Sequence, residues 1–233
     1  MIYEKTYNER LFQGGFRKWL HEARFIWLRK VFLKYKPEVN CVAELGCFDG
    51  RVLQYIPVPK FYFGFDADWE GGLGSAQRRY SENLNYFFKK CTTPDKFDCD
   101  GIKISCAISL ETLEHIPVNL LEGYQKKIFS LLLPGGYFFV SVPNEKGIVF
   151  FFKHLVKIFF LEGAEKYTLF EFMWATFGRL KKVERSDHKG FDWEILRNQL
   201  EHEFSLVEVT GIQIPWLPPS LNASIGMVFI KKY

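Results

Sequence analysis

The sequence predicts an α/β protein: a doubly wound, mainly parallel sheet covered by helices on both faces, with a helical cap insertion before its last elements. Three observations carry this. Apolar runs of strand length alternate with segments of helical period between residues 37 and 144. The first, second and fourth runs end on glycine or a carboxylate, at the edge where such sheets bind ligands. From residue 144 to 189 the alternation gives way to helical, aromatic sequence, and a helix and two strands follow.

Each element has its own local reason. Phe16, Leu20, Ala23, Trp27, Val31 and Tyr35 recur at three- and four-residue steps, so residues 10–35 read as a helix that Pro37 ends. Residues 41–45 are a buried-strand run closed by Gly46. A short helix over 50–56 stops at Pro57 and Pro59. Residues 61–65 form a second strand ending on Asp66, residues 85–89 a third, and residues 102–110 a fourth ending at Glu111. Leu120, Leu121, Tyr124, Ile128 and Leu131 share one side of a helix over 119–132. Pro134-Gly135-Gly136 breaks it before a fifth strand over 137–142, closed by Pro143. Asp192 is a good N-cap for the helix that restarts there, with Phe191 and Leu196 placed as a hydrophobic staple. Strands over 205–210 and 225–231 follow. The chain divides into an N-terminal helical segment (1–36), a ligand-binding α/β core (37–144), a helical cap insertion (145–190), and a C-terminal helix with two strands (191–233).

Composition narrows the function classes. Of 233 residues, 48% are apolar and 25% charged, a globular balance with an aromatic core in which Phe alone contributes 25 residues. The net charge of +4 implies no general grip on nucleic acid. Arg10, Arg17, Lys18, Arg24, Arg29, Lys30, Lys34 and Lys36 gather near the N-terminus, either as a solvated helix face or as a weak attraction to an anionic membrane surface. Cys41, Cys47, Cys91, Cys99 and Cys106 are odd in number and contain no CxxC pair, which argues against a disulfide framework or a cysteine zinc site and for a reducing, cytoplasmic setting. The N-terminal residues carry no apolar signal core. The greasiest stretch, residues 148–161, is interrupted by Lys153, His154 and Lys157 and is too short to span a bilayer.

Three motifs carry chemistry. Glu44-Leu45-Gly46-Cys47-Phe48-Asp49-Gly50 sits where the first strand turns toward a helix. Its glycines allow a tight turn and close backbone approach to a ligand. Its acids would repel a pyrophosphate and suit a cationic ligand, and the three-glycine phosphate cradle is absent. Asp66, at the end of the second strand, is placed to accept both hydroxyls of a ribose, or to cap a helix; Asp68 competes for either role. Glu111 to Ile116 follow the fourth strand and face the same crevice. There His115 is a candidate base near neutral pH, and Glu111 or Glu114 either orients it or binds the ligand's ammonium, unless the loop is merely structural.

In order and on successive strands, these features resemble class I S-adenosylmethionine-dependent methyltransferases, most closely the branch of the ubiquinone-biosynthesis O-methyltransferases. Glu44 to Gly50 is similar to that family's first motif, Asp66 to its ribose-binding acid, Leu113-Glu114-His115-Ile116 to its LEH signature, and Leu133-Pro134-Gly135-Gly136 to the turn before its fifth strand. The resemblance implies a Rossmann-like methyltransferase fold, a seven-stranded sheet with an antiparallel final strand. It implies S-adenosylmethionine as cofactor, held by Glu44, Gly46, Cys47, Phe48, Asp49, Gly50, Asp66, Ala67, Thr92, Leu110 and Glu111. It departs at Phe48, where the family has a glycine; a phenylalanine narrows the space beside the methionine part and disfavours a positive φ.

The implied reaction is an in-line methyl transfer, with His115 as the first candidate base for a hydroxyl acceptor and His188 as the second. The segment around His188 resembles those of methyltransferases found among surface-polysaccharide genes, so the expected acceptor is a small molecule or a glycan. Phe150, Phe151, Phe152, Phe159, Phe160, Phe170, Phe172, Trp174 and Phe177 form either the core of the cap or an exposed acceptor, partner or membrane surface. The rival reading is a non-catalytic module of the same fold that docks on a partner or membrane. A nicotinamide-dependent oxidoreductase is disfavoured by the missing third glycine.

Overall fold

The computed structural model describes residues 15–160, 167–186 and 188–232. Helix α1 (Gly15–Tyr35) precedes β1 (Cys41–Leu45), β2 (Phe61–Asp66), α2 (Leu73–Arg79), β3 (Tyr86–Lys90) and β4 (Ile104–Leu110). Then come α3 (Val118–Leu131), β5 (Leu132–Pro143), α4 (Gly147–Phe160), α5 (Leu169–Thr176), α6 (Trp193–Leu200), β6 (Phe204–Gly211) and β7 (Ser224–Lys231). The seven strands form one sheet in the order β3-β2-β1-β4-β5-β7-β6. β1 to β5 pair in parallel, whereas β7 lies antiparallel between β5 and β6. This is the doubly wound sheet with an antiparallel final strand that the resemblance implies.

Side chains alternate across the sheet and build one core on each face. Phe63, Phe65, Ala107, Phe138, Val140 and Phe229 pack with Leu121 and Ile128 of α3 and Leu196 of α6. Val42, Tyr62, Cys106, Ile108, Phe139 and Val228 pack with Trp27, Leu28, Val31 and Phe32 of α1 and Leu73 of α2. The seat of α1 requires a glycine: a Cβ at Gly226 of β7 would lie 2.3 Å from the Trp27 ring. Phe150, Ala175, Leu180 and Val183 form a small separate core for α4 and α5.

Most elements fall within two residues of their expected bounds. Residues 10–14 of the expected first helix, and Arg10 with them, lie outside the described residues. The expected helix over 50–56 is a 3-10 turn, Arg51–Gln54, because left-handed Gly50 and the prolines leave too little chain for an α-helix. β5 begins five residues early, running straight out of α3, with Pro134-Gly135-Gly136 absorbed into a register shift opposite Ile104 and Cys106. Helix α2 was not anticipated; its Leu73 and Ala76 are buried, but glycines on either side mask its pattern. Asp192 caps α6 by accepting from the Glu194 N–H (3.0 Å), and Phe191 and Leu196 are both buried. No helix among the described residues is long and apolar enough to cross a membrane.

Candidate functional site

β1 pairs with β2 on one side and β4 on the other, so the chain reverses its direction of winding there. Parallel sheets open a crevice at such a point, beyond the carboxyl ends of the strands. A cleft of about 780 Å³ occupies it. Glu44, Gly46, Cys47, Phe48, Asp49, Asp66, Ala67, Thr92, Leu110, Glu111, His115 and His188 all line this cleft. Gly50 does not. It takes φ +70° behind the turn, where a Cβ would press on the Phe88 and Tyr80 rings at 3.0 Å.

The turn after β1 is tight. Gly46 takes φ +84°, and a Cβ there would lie 2.0 Å from Thr112 Oγ1, so only glycine fits. Gly46 and Cys47 both donate their N–H groups to the Phe65 carbonyl (2.7 and 3.1 Å). Phe48 adopts the positive φ that its side chain disfavours, +45°. A left-handed non-glycine residue costs ~1–2 kcal/mol. Two contacts hold it there. Its N–H donates to Asp66 Oδ2 (2.9 Å), and its ring lies against Gly72, which has no side chain to obstruct it. Glu111, also left-handed (φ +52°), donates its N–H to the Ser141 carbonyl (2.9 Å).

The cleft is acidic. Glu44 is buried and accepts from the Tyr62 hydroxyl. Burial pushes its pKa up to about 8, against the pull of that hydrogen bond, and Asp49 and Asp66 push the same way. Asp66 accepts the N–H groups of Phe48 and Asp68 (2.9 and 2.7 Å). Burial raises its pKa and these two bonds oppose the rise. A carboxylate has about four lone-pair sites, so Asp66 keeps capacity for two ligand hydroxyls. Asp49 faces Arg51 and Arg79, each 3.4 Å from its Oδ2. Burial also raises Glu111, with Arg24 the chief opposing charge, and it pushes Glu114 well up, with Glu111 adding to the rise.

His115 and His188 meet at one end of the cleft, edge to face, with ring centroids 4.4 Å apart. His115 stands on the 3-10 turn Leu113–His115 that follows β4. His188 arrives from the far end of the cap, beside a short bridge between Ser186 and Lys189. Arg185, from the same segment, donates Nη2 to the Glu114 carbonyl (2.9 Å). Of the described cap residues only Arg185 and His188 line the cleft. The phenylalanines do not: Phe150 is buried, Phe151, Phe172 and Trp174 are half-buried, and Phe152, Phe170 and Phe177 are exposed. The side chains of Phe159 and Phe160 lie outside the described residues.

Sequence reasoning missed several lining residues. Arg24 and His21 face the cleft from α1, where the arginine had been grouped with a solvated basic face. One helical position separates Arg24 from the buried Ala23, and no pattern in the chain distinguishes it from Arg29 or Lys30, which are exposed. Trp69 stands at the mouth, three-quarters exposed, and Tyr124 closes the side near Thr92. All five cysteines are free and buried.

Comparison with known proteins gives a consistent picture. The family described as Methyltransferase domain matches residues 16–208. No curated protein matches the chain. Among solved structures, an S-adenosylmethionine-dependent methyltransferase from Clostridium acetobutylicum is similar at 12% identity and TM-score 0.63, covering 95% of this chain and 94% of its own. The N-methyltransferase NodS from Bradyrhizobium japonicum, in complex with S-adenosylhomocysteine, is similar at 14% identity and TM-score 0.60, covering 99% and 100%. Magnesium protoporphyrin IX methyltransferase from Synechocystis, with S-adenosylhomocysteine bound, is similar at 16% identity and TM-score 0.58, covering 96% and 92%. At these identities the likeness establishes the Rossmann-like fold.

Proposed function

Because the chain belongs to the Methyltransferase domain family, we propose that it is an S-adenosylmethionine-dependent methyltransferase acting on an oxygen or nitrogen of a small-molecule or glycan-type acceptor. The observation that carries this reading is the set of acids around one glycine turn: Glu44, Gly46 and Asp66 line one cleft at the switch point of the sheet. Such a cleft suits a ligand with a cationic amino-acid end and a ribose, as the structural neighbours' S-adenosylhomocysteine has. The LEH run supports kinship with the ubiquinone-biosynthesis branch.

The cofactor, when bound, supplies a methyl group already activated as a sulfonium. The protein supplies position and a dry, shaped site. Asp66 would accept the ribose hydroxyls. Glu44, once ionised, would pair with the ammonium, and the Gly46–Phe48 backbone would hold the methionine part. Asp49 fixes the turn through Arg51 and Arg79. Ala67, Thr92, Leu110 and Glu111, which line the same cleft, would complete the cofactor's site. His115 would take the proton of a hydroxyl acceptor as its oxygen gains the methyl, with the His188 ring packed edge to face against it. Incubation with S-adenosylmethionine and a panel of hydroxyl, amine and glycan acceptors tests this. One acceptor gaining a methyl by mass spectrometry supports the reading; S-adenosylhomocysteine that never forms with any acceptor class counts against it.

A second reading has its own support. Phe152, Leu169, Phe170 and Phe177 are exposed, and exposed Arg179, Lys181 and Lys182 follow directly in the chain. Apolar and basic groups together suit an anionic membrane surface, as a docking function with or without catalysis. Co-sedimentation with anionic vesicles tests it, and no binding at low salt removes it. Five buried free thiols favour a reducing, cytoplasmic setting.

A further inference from the structure

We propose that Glu114, His115 and His188 form a binding site for one divalent transition-metal ion, of the zinc or manganese class, at the acceptor end of the cleft. Each residue offers one ligand atom, and those atoms all lie within 4.8 Å of one another. Two histidines and a carboxylate are a donor set that suits such ions. Ligands about 2.0–2.2 Å from one ion stand about 3–3.5 Å apart at tetrahedral angles, so the three groups must draw together to close on an ion.

The second observation is Glu114 itself. Its side chain is 1% exposed and lines the cleft, yet among the described residues neither carboxylate oxygen accepts a hydrogen bond. His115 Nε2 is 3.9 Å from Oε1, too far for such a bond. A buried carboxylate without hydrogen bonds is costly unless it is neutralised or coordinates a metal. The surrounding charges do not supply that neutralisation directly. Glu111 and Glu145 add negative charge, and Arg24 acts on Glu114 through space. Arg185 directs Nη2 to the Glu114 carbonyl and lies over the Phe191 ring, 4.7 Å from its centroid. An ion held here would also tie the 185–189 segment to the end of β4.

Three protein ligands leave at least one position for an acceptor oxygen. That use rests on the methyl-transfer reading; ion binding itself does not. With the ion in place His115 is a ligand and not a base. The ion lowers the pKa of a bound acceptor hydroxyl, whose proton passes to solvent. The oxygen–methyl bond then forms as the sulfur–methyl bond breaks, leaving a neutral thioether and a methyl ether.

The experiment uses the full chain, stripped with a chelator and dialysed separately against Zn²⁺, Mn²⁺ and Mg²⁺. Bound metal is counted by mass spectrometry, and S-adenosylhomocysteine is titrated in parallel. The expected result is one equivalent of Zn²⁺ or Mn²⁺ with Kd of about 10 μM or tighter. Metal affinity falls more than about tenfold in Glu114→Gln and in His188→Ala, while S-adenosylhomocysteine affinity stays within about threefold. Should Glu114→Gln fail to fold, His188→Ala decides alone. Absence of stoichiometric metal, or unchanged metal affinity in the folded variants, overturns the proposal. If S-adenosylhomocysteine still binds in that case, the methyltransferase reading stands; metal binding without it has the opposite meaning.

Discussion

At the scale of single residues, the site combines a built-in strain with a set of acids that oppose one another's ionisation. Phe48 holds a left-handed φ with its N–H donated to Asp66, so Asp66 shapes the turn as well as standing as the proposed ribose acceptor. Asp66→Ala is therefore predicted to weaken S-adenosylhomocysteine binding by at least about tenfold, or ~1.4 kcal/mol. Calorimetric titration of the folded variant, checked by circular dichroism, measures this; unchanged affinity removes the ribose assignment. His115→Ala is predicted to lower kcat by about 10²-fold or more while cofactor affinity changes little. Equal turnover in that variant takes His115 out of the mechanism. Of the thirteen residues proposed for the site, twelve line the cleft, and glycine and acids at strand ends mark its edge in the sequence. Gly50 stands behind the turn; a glycine that lets a backbone turn and a glycine that meets a ligand look alike in sequence. The backbone angle of Phe48 was not legible for a different reason: a hydrogen bond to the end of β2 overrides local preference.

At the scale of elements, helix α1 is more than an N-terminal appendage. It seats Trp27 on Gly226 of β7 and brings Arg24 and His21 to the cleft. Gly226→Ala is predicted to destabilise the fold by ~1–3 kcal/mol through overpacking, which lowers Tm by about 2–4 °C per kcal/mol. Thermal denaturation followed by circular dichroism tests this, and an unchanged Tm would mean that Trp27 yields without cost. Apolar period revealed the buried face of α1 but not its partner strand, 199 positions away (226 − 27), because long-range pairing leaves no local trace. The same limit explains β5. Pro134-Gly135-Gly136 reads locally as a break, whereas parallel pairing with β4 extends the strand through it. The cap read correctly as helical, but its phenylalanines are shared between a small core and an exposed face, a division that composition does not encode.

At the scale of the whole molecule, the acidic cleft makes stability depend on pH in an unusual direction. Folded Glu44 titrates at about 8 against an ordinary 4.5, and Glu114 is shifted the same way. Between these values the unfolded chain has released protons that the folded chain retains, so stability falls as pH rises from about 5 to 8. The slope approaches ~1.4 kcal/mol per pH unit for each such group. The urea midpoint is predicted to be lower at pH 8 than at pH 6, and a midpoint that rises over this range contradicts the burial of ionisable acids in the empty cleft. A cationic ligand reverses the penalty by stabilising ionised Glu44. The fold class was legible at this scale because apolar strand runs alternate with segments of helical period between residues 37 and 144. The acceptor was not, since side chains such as Trp69 and Arg185 reach the cleft from separated segments.

The central claim is that this acidic crevice binds the amino-acid nucleoside of a methyltransferase. Calorimetric titration of the protein with S-adenosylhomocysteine, with NADH as control, tests it most directly. One site of micromolar-range affinity for S-adenosylhomocysteine, and none for NADH, is the predicted result. Heat from NADH alone, or from neither ligand, contradicts the account and moves the protein toward a non-catalytic role on the same fold.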